Sequence, residues 1–205
     1  MSDHNLAKLD QIEHIVVLML ENRSFDHMLG FLSMPQDRGG RARSEVDGLK
    51  ISDDQKIEYD GKVYAPQPLS DEHLSFLWDP CHAYKCVQQQ LANNNRGFVE
   101  NFATHHHQLV KESPLSDPGL IMGYYTAGQL PVYDNLAEQF CVCDRWFCSM
   151  PGPTIPNRLY ALAGTSDGEV DNPPTAIPFR SFDLKTIYNS KLQLIQRYLD
   201  LYSYS

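Results

Sequence analysis

The stretch Ile15–Asp26, IVVLMLENRSFD, constrains the fold of this chain more than any other. A run that is apolar at every position cannot divide its faces between core and water. It therefore reads as a strand at residues 12 to 20 that is buried on both sides, as at the centre of a parallel sheet. The run ends abruptly on Glu21, Asn22 and Arg23. In open α/β sheets, ligands gather beyond the carboxyl ends of the strands. A carboxylate beside an amide carbonyl offers hard oxygen donors of the kind a divalent cation takes. The same tripeptide also suits a simple Glu21–Arg23 pair or a cap on the next segment.

A second apolar segment, CVCDRWFCSM at 141–150, reads as another buried strand. It runs into PGPT and a short helix, IPNRLYALAG, which Gly164 stops. Thr154 stands at the start of that helix. It suits an N-cap, and equally a hydroxyl placed for phosphate chemistry, because helix N-termini favour anions. A metal beside the hydroxyl would lower its pKa and make it a nucleophile. Asn157 lies one turn on, on the same face.

Between these segments, Asp79-Pro80 reads as the N-cap and N1 of a helix. Ala83, Tyr84, Val87 and Leu91 form its apolar face, His82 sits in its first turn, and Asn93–Asn95 with Gly97 end it. Pro131 starts a further helix on Val132, Tyr133, Leu136, Ala137 and Phe140. Residues 35 to 75 read as a loop-rich insertion containing a hairpin that turns on Asp60-Gly61. Residues 98 to 122 read as a polar loop, with His105–His107 exposed and turns at Ser113-Pro114 and Asp117–Gly119. Strand, helix, strand, turn, helix is α/β grammar.

Composition narrows the function classes. The chain has 205 residues, 42% hydrophobic and 21% charged, as soluble globular domains do. A net charge of −9 argues against a nonspecific grip on nucleic acid. The longest apolar run is far too short to span a membrane, and MSDHNLAKLDQ has no secretory pattern, so the expected location is the cytoplasm. Five irregularly spaced cysteines fit reduced thiols better than a disulfide framework. Cys81, His82, Cys86, Cys141, Cys143 and Cys148 also offer soft ligands for zinc. Their spacing matches no paired knuckle, and the expectation is small buried hydrophobes.

Together, ENRSFDHMLGFL, DPCH and CDRWFCSMPGPTIPNRLYALAGTS resemble the bacterial phosphoesterase family of phosphatidylcholine-type phospholipases C and related acid phosphatases. The resemblance spans roughly residues 12 to 188. It implies an α/β fold, the alkaline-phosphatase-like parallel-sheet sandwich, incomplete here on its C-terminal side. It implies a divalent metal ion of unknown identity on Glu21, Asn22 and Thr154, with Thr154 as the nucleophile that forms a covalent phosphothreonine. It places Asn157 and His82 around the phosphate. The implied activity is hydrolysis of a phosphoric ester, with a small phosphoester or a phospholipid as substrate. On this reading residues 1–205 are one partial domain whose tail diverges from about 189 on. The expectation is a truncated or frame-shifted product, or one half of a split enzyme whose partner chain supplies the rest and without which the fragment is non-catalytic. The alternative for the tail is a terminal helix on Leu192, Ile195, Tyr198 and Leu199.

Overall fold

The computed structural model describes residues 14, 16–73, 79–105, 117–173 and 184–187, and the backbone of 106–109. The tail pattern from Leu192 to Leu199, the turn at Ser113-Pro114 and Ile15 lie outside these residues.

The first described helix follows directly from the ENRSFD motif. The Ser24 hydroxyl accepts a hydrogen bond from the His27 amide at 3.2 Å and so caps α1, Phe25–Leu29. α1 passes into a 3-10 turn over Gly30–Ser33. Together with the following loop this turn buries Phe31, Leu32, Met34, Val46 and Leu49. Tyr124 and Ala137 close that core, with Phe25, Leu29, Ala127 and Val142 packed against it. Each fully buried Leu or Phe contributes about 1.5–3 kcal/mol by removal from water. Residues 35–73 run through turns, short 3-10 helices and short strands, and they supply core side chains, namely Val46, Leu49, Ile57 and Leu69.

The hairpin forms where Asp60-Gly61 predicts it. β1 (Ile57–Tyr59) pairs antiparallel with β2 (Lys62–Tyr64), and both turn residues have positive φ, 50° and 69°. β3 (Gln67–Pro68) pairs in parallel with β4 (Gly123–Tyr124). These are the two sheets among the described residues, so the chain is mixed α/β with small sheets.

Two expected strands are not formed among the described residues. Residues 16–20 form no strand, and Val16 is 91% exposed. A strand exists only through its neighbours' N–H and C=O groups, and no described strand pairs with this one. Residues 141–150 contain a turn at Asp144-Arg145. Asp144 accepts from the Asp47 amide at 2.7 Å, and Arg145 pairs with the Asp47 carboxylate at 3.1 Å. These polar ties replace a ladder and leave Trp146 84% exposed. The free cysteines Cys141, Cys143 and Cys148 are exposed as well, not buried hydrophobes.

The helices differ from expectation at their ends and in one case altogether. α2 runs Tyr84–Asn95, starting later than Asp79-Pro80 predicts. Its helical backbone breaks at Ala92, and Asn93, Asn94 and Asn95 take positive φ, as the asparagine run predicts. Its buried residue is Gln90, while Leu91 is exposed. Gly97 then reverses the chain. A Cβ there would collide with the Gln89 carbonyl oxygen, so only glycine lets α3 turn back so tightly. α3, Phe98–Leu109, replaces the expected polar loop and carries His105–His107. Val99 and Phe102 bury its inner face. α4 is Pro131–Gln139 and α5 is Thr154–Ala163, the latter ended by Gly164 at φ 73°. On α4 the buried residues are Asp134 and Ala137, whereas Val132, Leu136 and Phe140 are exposed.

His27 shows how α1 is locked. Its Nδ1 is 2.8 Å from the Gly123 carbonyl oxygen, which makes Nδ1–H the donor, and its ring meets Tyr125 edge-on at 4.9 Å. Burial holds its pKa below the ordinary 6.5, against the pull of the Gly123 carbonyl, and Arg23 adds to the depression. The unfolded chain therefore binds more protons between the two pKa values. The stability this group contributes is complete above about 6.5 and is lost as pH falls through that value toward the folded pKa. Asp26 acts in the opposite sense. Burial, then Asp47, raises its pKa above 3.8, so its contribution is present below 3.8 and lost as pH rises through the folded value. Urea unfolding of wild type and His27→Asn, which keeps a donor near Nδ1, separates the two groups. The loss of stability between pH 7.5 and 5.5 is expected to be smaller in the variant.

Candidate active site

The site is assembled by two neighbouring side chains late in the chain. The Tyr84 amide, at the start of α2, donates to Asp171 Oδ1 at 2.7 Å. The Ile155 amide, in the first turn of α5, donates to Asn172 Oδ1 at 2.8 Å. One dipeptide thus caps two helices that are far apart in sequence. This differs from the expected Asp79 cap. Asp79 instead stands 3.6 Å from His82 Nδ1, and His82 lies before the helix rather than in its first turn. A cleft of about 240 Å³ opens between the two helix starts, lined by His82, Ala83, Pro153, Asp171 and Asn172.

The two helix ends are electrically unequal. α2 meets the carboxylate of Asp171, which offsets its positive end. α5 is capped by a neutral amide and has no acid in its first turn. Thr154 is its first residue and Pro153 its N-cap, so the Thr154 hydroxyl is not spent on capping. The positive pole beside Thr154 is therefore the one free to attract an anion.

Asn157 supports this end from below. Its Oδ1 accepts from the Met150 amide, and its Nδ2 reaches the carbonyls of Met150, Gly152 and Pro153, all at 3.1 Å. The side chain is committed to the turn that delivers Thr154. Arg158 lies one turn beyond Thr154 on the same face. Its guanidinium is 3.4 Å from Glu21 Oε1 and 3.5 Å from the Met19 carbonyl. Glu21 is thus tied to α5, and not to Arg23. Arg23 instead donates to Asn22 Oδ1 at 2.7 Å. The structure brings His82 and the start of α5 into one cleft, joins Glu21 to α5 through Arg158, and leaves Asn22 on its own arginine.

Comparison with known proteins gives the family of the chain. The model of the Phosphoesterase family matches residues 12–196. The chain belongs to that family. Among similar family members, non-specific phospholipase C1 of Arabidopsis thaliana is 32% identical over 190 residues, covering 87% of this chain and 32% of the relative. Phospholipase C B of Mycobacterium tuberculosis is 31% identical, covering 85% of this chain and 35% of the relative. Hemolytic phospholipase C of Pseudomonas aeruginosa is 30% identical, covering 79% and 20%. The chain spans about a third or less of the length of these phosphoesterases.

A metal that the phosphoesterase fold implies finds suitable donors here in kind. Glu21 and Asn22 are exposed hard oxygens, and each already accepts a cationic guanidinium. Among the described residues Glu21 joins no cluster of three His, Cys, Asp or Glu side chains. Water and the Thr154 hydroxyl would have to complete a coordination sphere.

Sequence reasoning missed Asp171 and Asn172. Their signal was an Asp-Asn pair just before two prolines, which suits capping side chains in extended backbone. Replacing Asn157 with Ala removes every side-chain bond to the Met150–Pro153 turn. It is expected to lower unfolding free energy by about 1–3 kcal/mol in urea titrations. Asn172→Ala, which removes one cap, is expected to cost about 1 kcal/mol.

Proposed function

We infer that this chain carries the nucleophile end of a metal-dependent phosphoric ester hydrolase with the alkaline-phosphatase-like sandwich as its parent fold. The observation that supports the reading most is Thr154 at an uncompensated helix N-terminus, in a chain that belongs to the Phosphoesterase family. The relatives' names are those of phospholipases C, which favours a phosphodiester lipid or a smaller phosphoester as substrate.

In this reading the substrate phosphoryl group sits over the start of α5. There the backbone N–H groups and the helix dipole offset charge on its oxygens. Glu21, Asn22 and Thr154 would hold a divalent cation, which when bound polarises the phosphoryl group and favours the ionised hydroxyl. Thr154 Oγ1 gives its proton to water and bonds to phosphorus as the ester P–O bond breaks; the leaving alkoxide takes up a proton from solvent, and a water molecule then attacks phosphorus, breaks the Oγ1–P bond and restores the hydroxyl. Asn157 fixes the turn that aims Thr154. His82, on the cleft wall, would donate a hydrogen bond to a phosphoryl oxygen. Arg158 keeps Glu21 in register with α5.

A second reading rests on the exposure of Val16, Val17, Leu18, Leu20, Phe140, Trp146 and Phe147. Here the chain turns over substrate only together with further sequence that covers these apolar stretches, as in one half of a split enzyme. It predicts a protein that self-associates and stays inactive with every metal.

A chromogenic phosphomonoester and a chromogenic phosphodiester, assayed with a panel of divalent metals, separate the readings. The first expects metal-dependent turnover that falls by at least about 1000-fold in Thr154→Ala. It also expects a phosphoryl group on the Thr154 peptide in rapidly quenched wild type. Turnover unchanged in Thr154→Ala would falsify the nucleophile assignment.

A further inference from the structure

The α2–α3 hairpin holds a cluster that the phosphoesterase reading does not use. Cys81 and Cys86 form a disulfide in this structure, contrary to the expectation of reduced thiols. His105 lies beside them, and the two sulfurs and a ring nitrogen of His105 all fall within 4.8 Å of one another. All three residues are half-buried and so within reach of small solutes.

The convergence is built by the hairpin. Gln90 and Asn101 are buried, and Gln90 Nε2 donates to Asn101 Oδ1 at 2.9 Å. Cys86 lies one turn before Gln90 on α2, and His105 one turn after Asn101 on α3. In an antiparallel helix pair those two positions meet, because residues four apart share a face. The same Gln90 Nε2 donates to the Cys81 carbonyl at 2.6 Å, and Asn101 Nδ2 donates to Gln89 Oε1 at 2.7 Å. A buried amide network therefore holds Cys81 against the face from which His105 projects. It does so through bonds that do not need the disulfide. The four-residue gap between the cysteines is one that zinc sites use, and thiolate with imidazole is a zinc donor set.

We propose that, once the Cys81–Cys86 bond is reduced, Cys81, Cys86 and His105 bind one zinc ion, and that re-forming the disulfide expels it. The two states balance. A dithiol reductant delivers two electrons and two protons to the Cys81–Cys86 bond, leaves two thiols, and itself becomes a disulfide. Zinc binding then releases both thiol protons, since thiolates are the ligands, and neutral His105 supplies nitrogen. A water fills the fourth position of the tetrahedron. In the reverse direction a low-molecular-weight disulfide takes two electrons from the two thiolates. Its own S–S bond breaks into two thiolates, the Cys81–Cys86 bond forms, and the ion loses two of its three protein ligands. His82, next to Cys81 in the chain, lies on the wall of the cleft, so either state anchors that wall.

The test uses the full chain, reduced with dithiothreitol and desalted without oxygen, and titrated with Co²⁺. One equivalent is expected to bind with a sulfur-to-cobalt charge-transfer band, and one equivalent of Zn²⁺ to displace it. Oxidised glutathione is expected to release that zinc with the loss of two thiols. Peptide mapping after iodoacetamide treatment needs no variant. Zinc is expected to shield Cys81 and Cys86 and leave Cys141, Cys143 and Cys148 alkylated. His105→Ala is expected to weaken binding by about 100-fold or more, at least the cost of losing an outer-shell partner. Absence of the charge-transfer band in the reduced wild type, shielding of other cysteines, or unchanged affinity in His105→Ala overturns the proposal.

Discussion

Two adjacent caps, Asp171 on the Tyr84 amide and Asn172 on the Ile155 amide, carry the geometry of the site. Each satisfies an amide that its helix leaves without a partner. Because the two side chains are neighbours, the starts of α2 and α5 must lie side by side, and the cleft between them follows. The chemical difference between the caps then sorts the two helix ends. A carboxylate neutralises one, and an amide leaves the other available to an anion. Thr154 stands at the available one.

From that point the arrangement extends in two directions. Asn157 clamps the turn before Thr154 through four contacts. Arg158, one turn on, reaches Glu21 and so aligns the end of the apolar IVVLML segment with the same helix. The acid, amide and base after that segment are thereby explained in part. Glu21 and Asn22 present oxygens that accept cations, and arginines occupy them here. On the far side of the cleft, the buried Gln90–Asn101 pair locks α2 to α3 and carries the Cys81 end with it.

Local signals were legible where a residue type has one conformational use. Asp60-Gly61 foretold the hairpin, the asparagine run foretold the break of α2, Pro131 foretold the start of α4, and Gly164 foretold the end of α5. Segments whose state depends on a distant partner were not. IVVLML reads as a central strand, but a strand is a property of a pair, and no described strand pairs with it. CVCDRWFCSM reads the same way until Asp47, about a hundred positions away in sequence, binds Asp144 and Arg145. α3 was hidden because its histidines mask the apolar spacing of Phe98, Val99 and Phe102. Among the candidate residues, Thr154 and His82 stand out from motif alone. Asp171 and Asn172, which cap α2 and α5, do not, since the helix that Asp171 caps lies about ninety residues away and has no sequence spacing to it.

The central claim is that the start of α5 is the anion-binding end of the cleft and the start of α2 is not. Amide chemical shifts of the uniformly ¹⁵N-labelled chain, followed during a titration with inorganic phosphate, test it directly. The account predicts saturable shifts at Thr154, Ile155 and Asn157 that share one dissociation constant, with Tyr84 unmoved. Equal shifts at Tyr84, or none at Thr154 up to high phosphate, would contradict it.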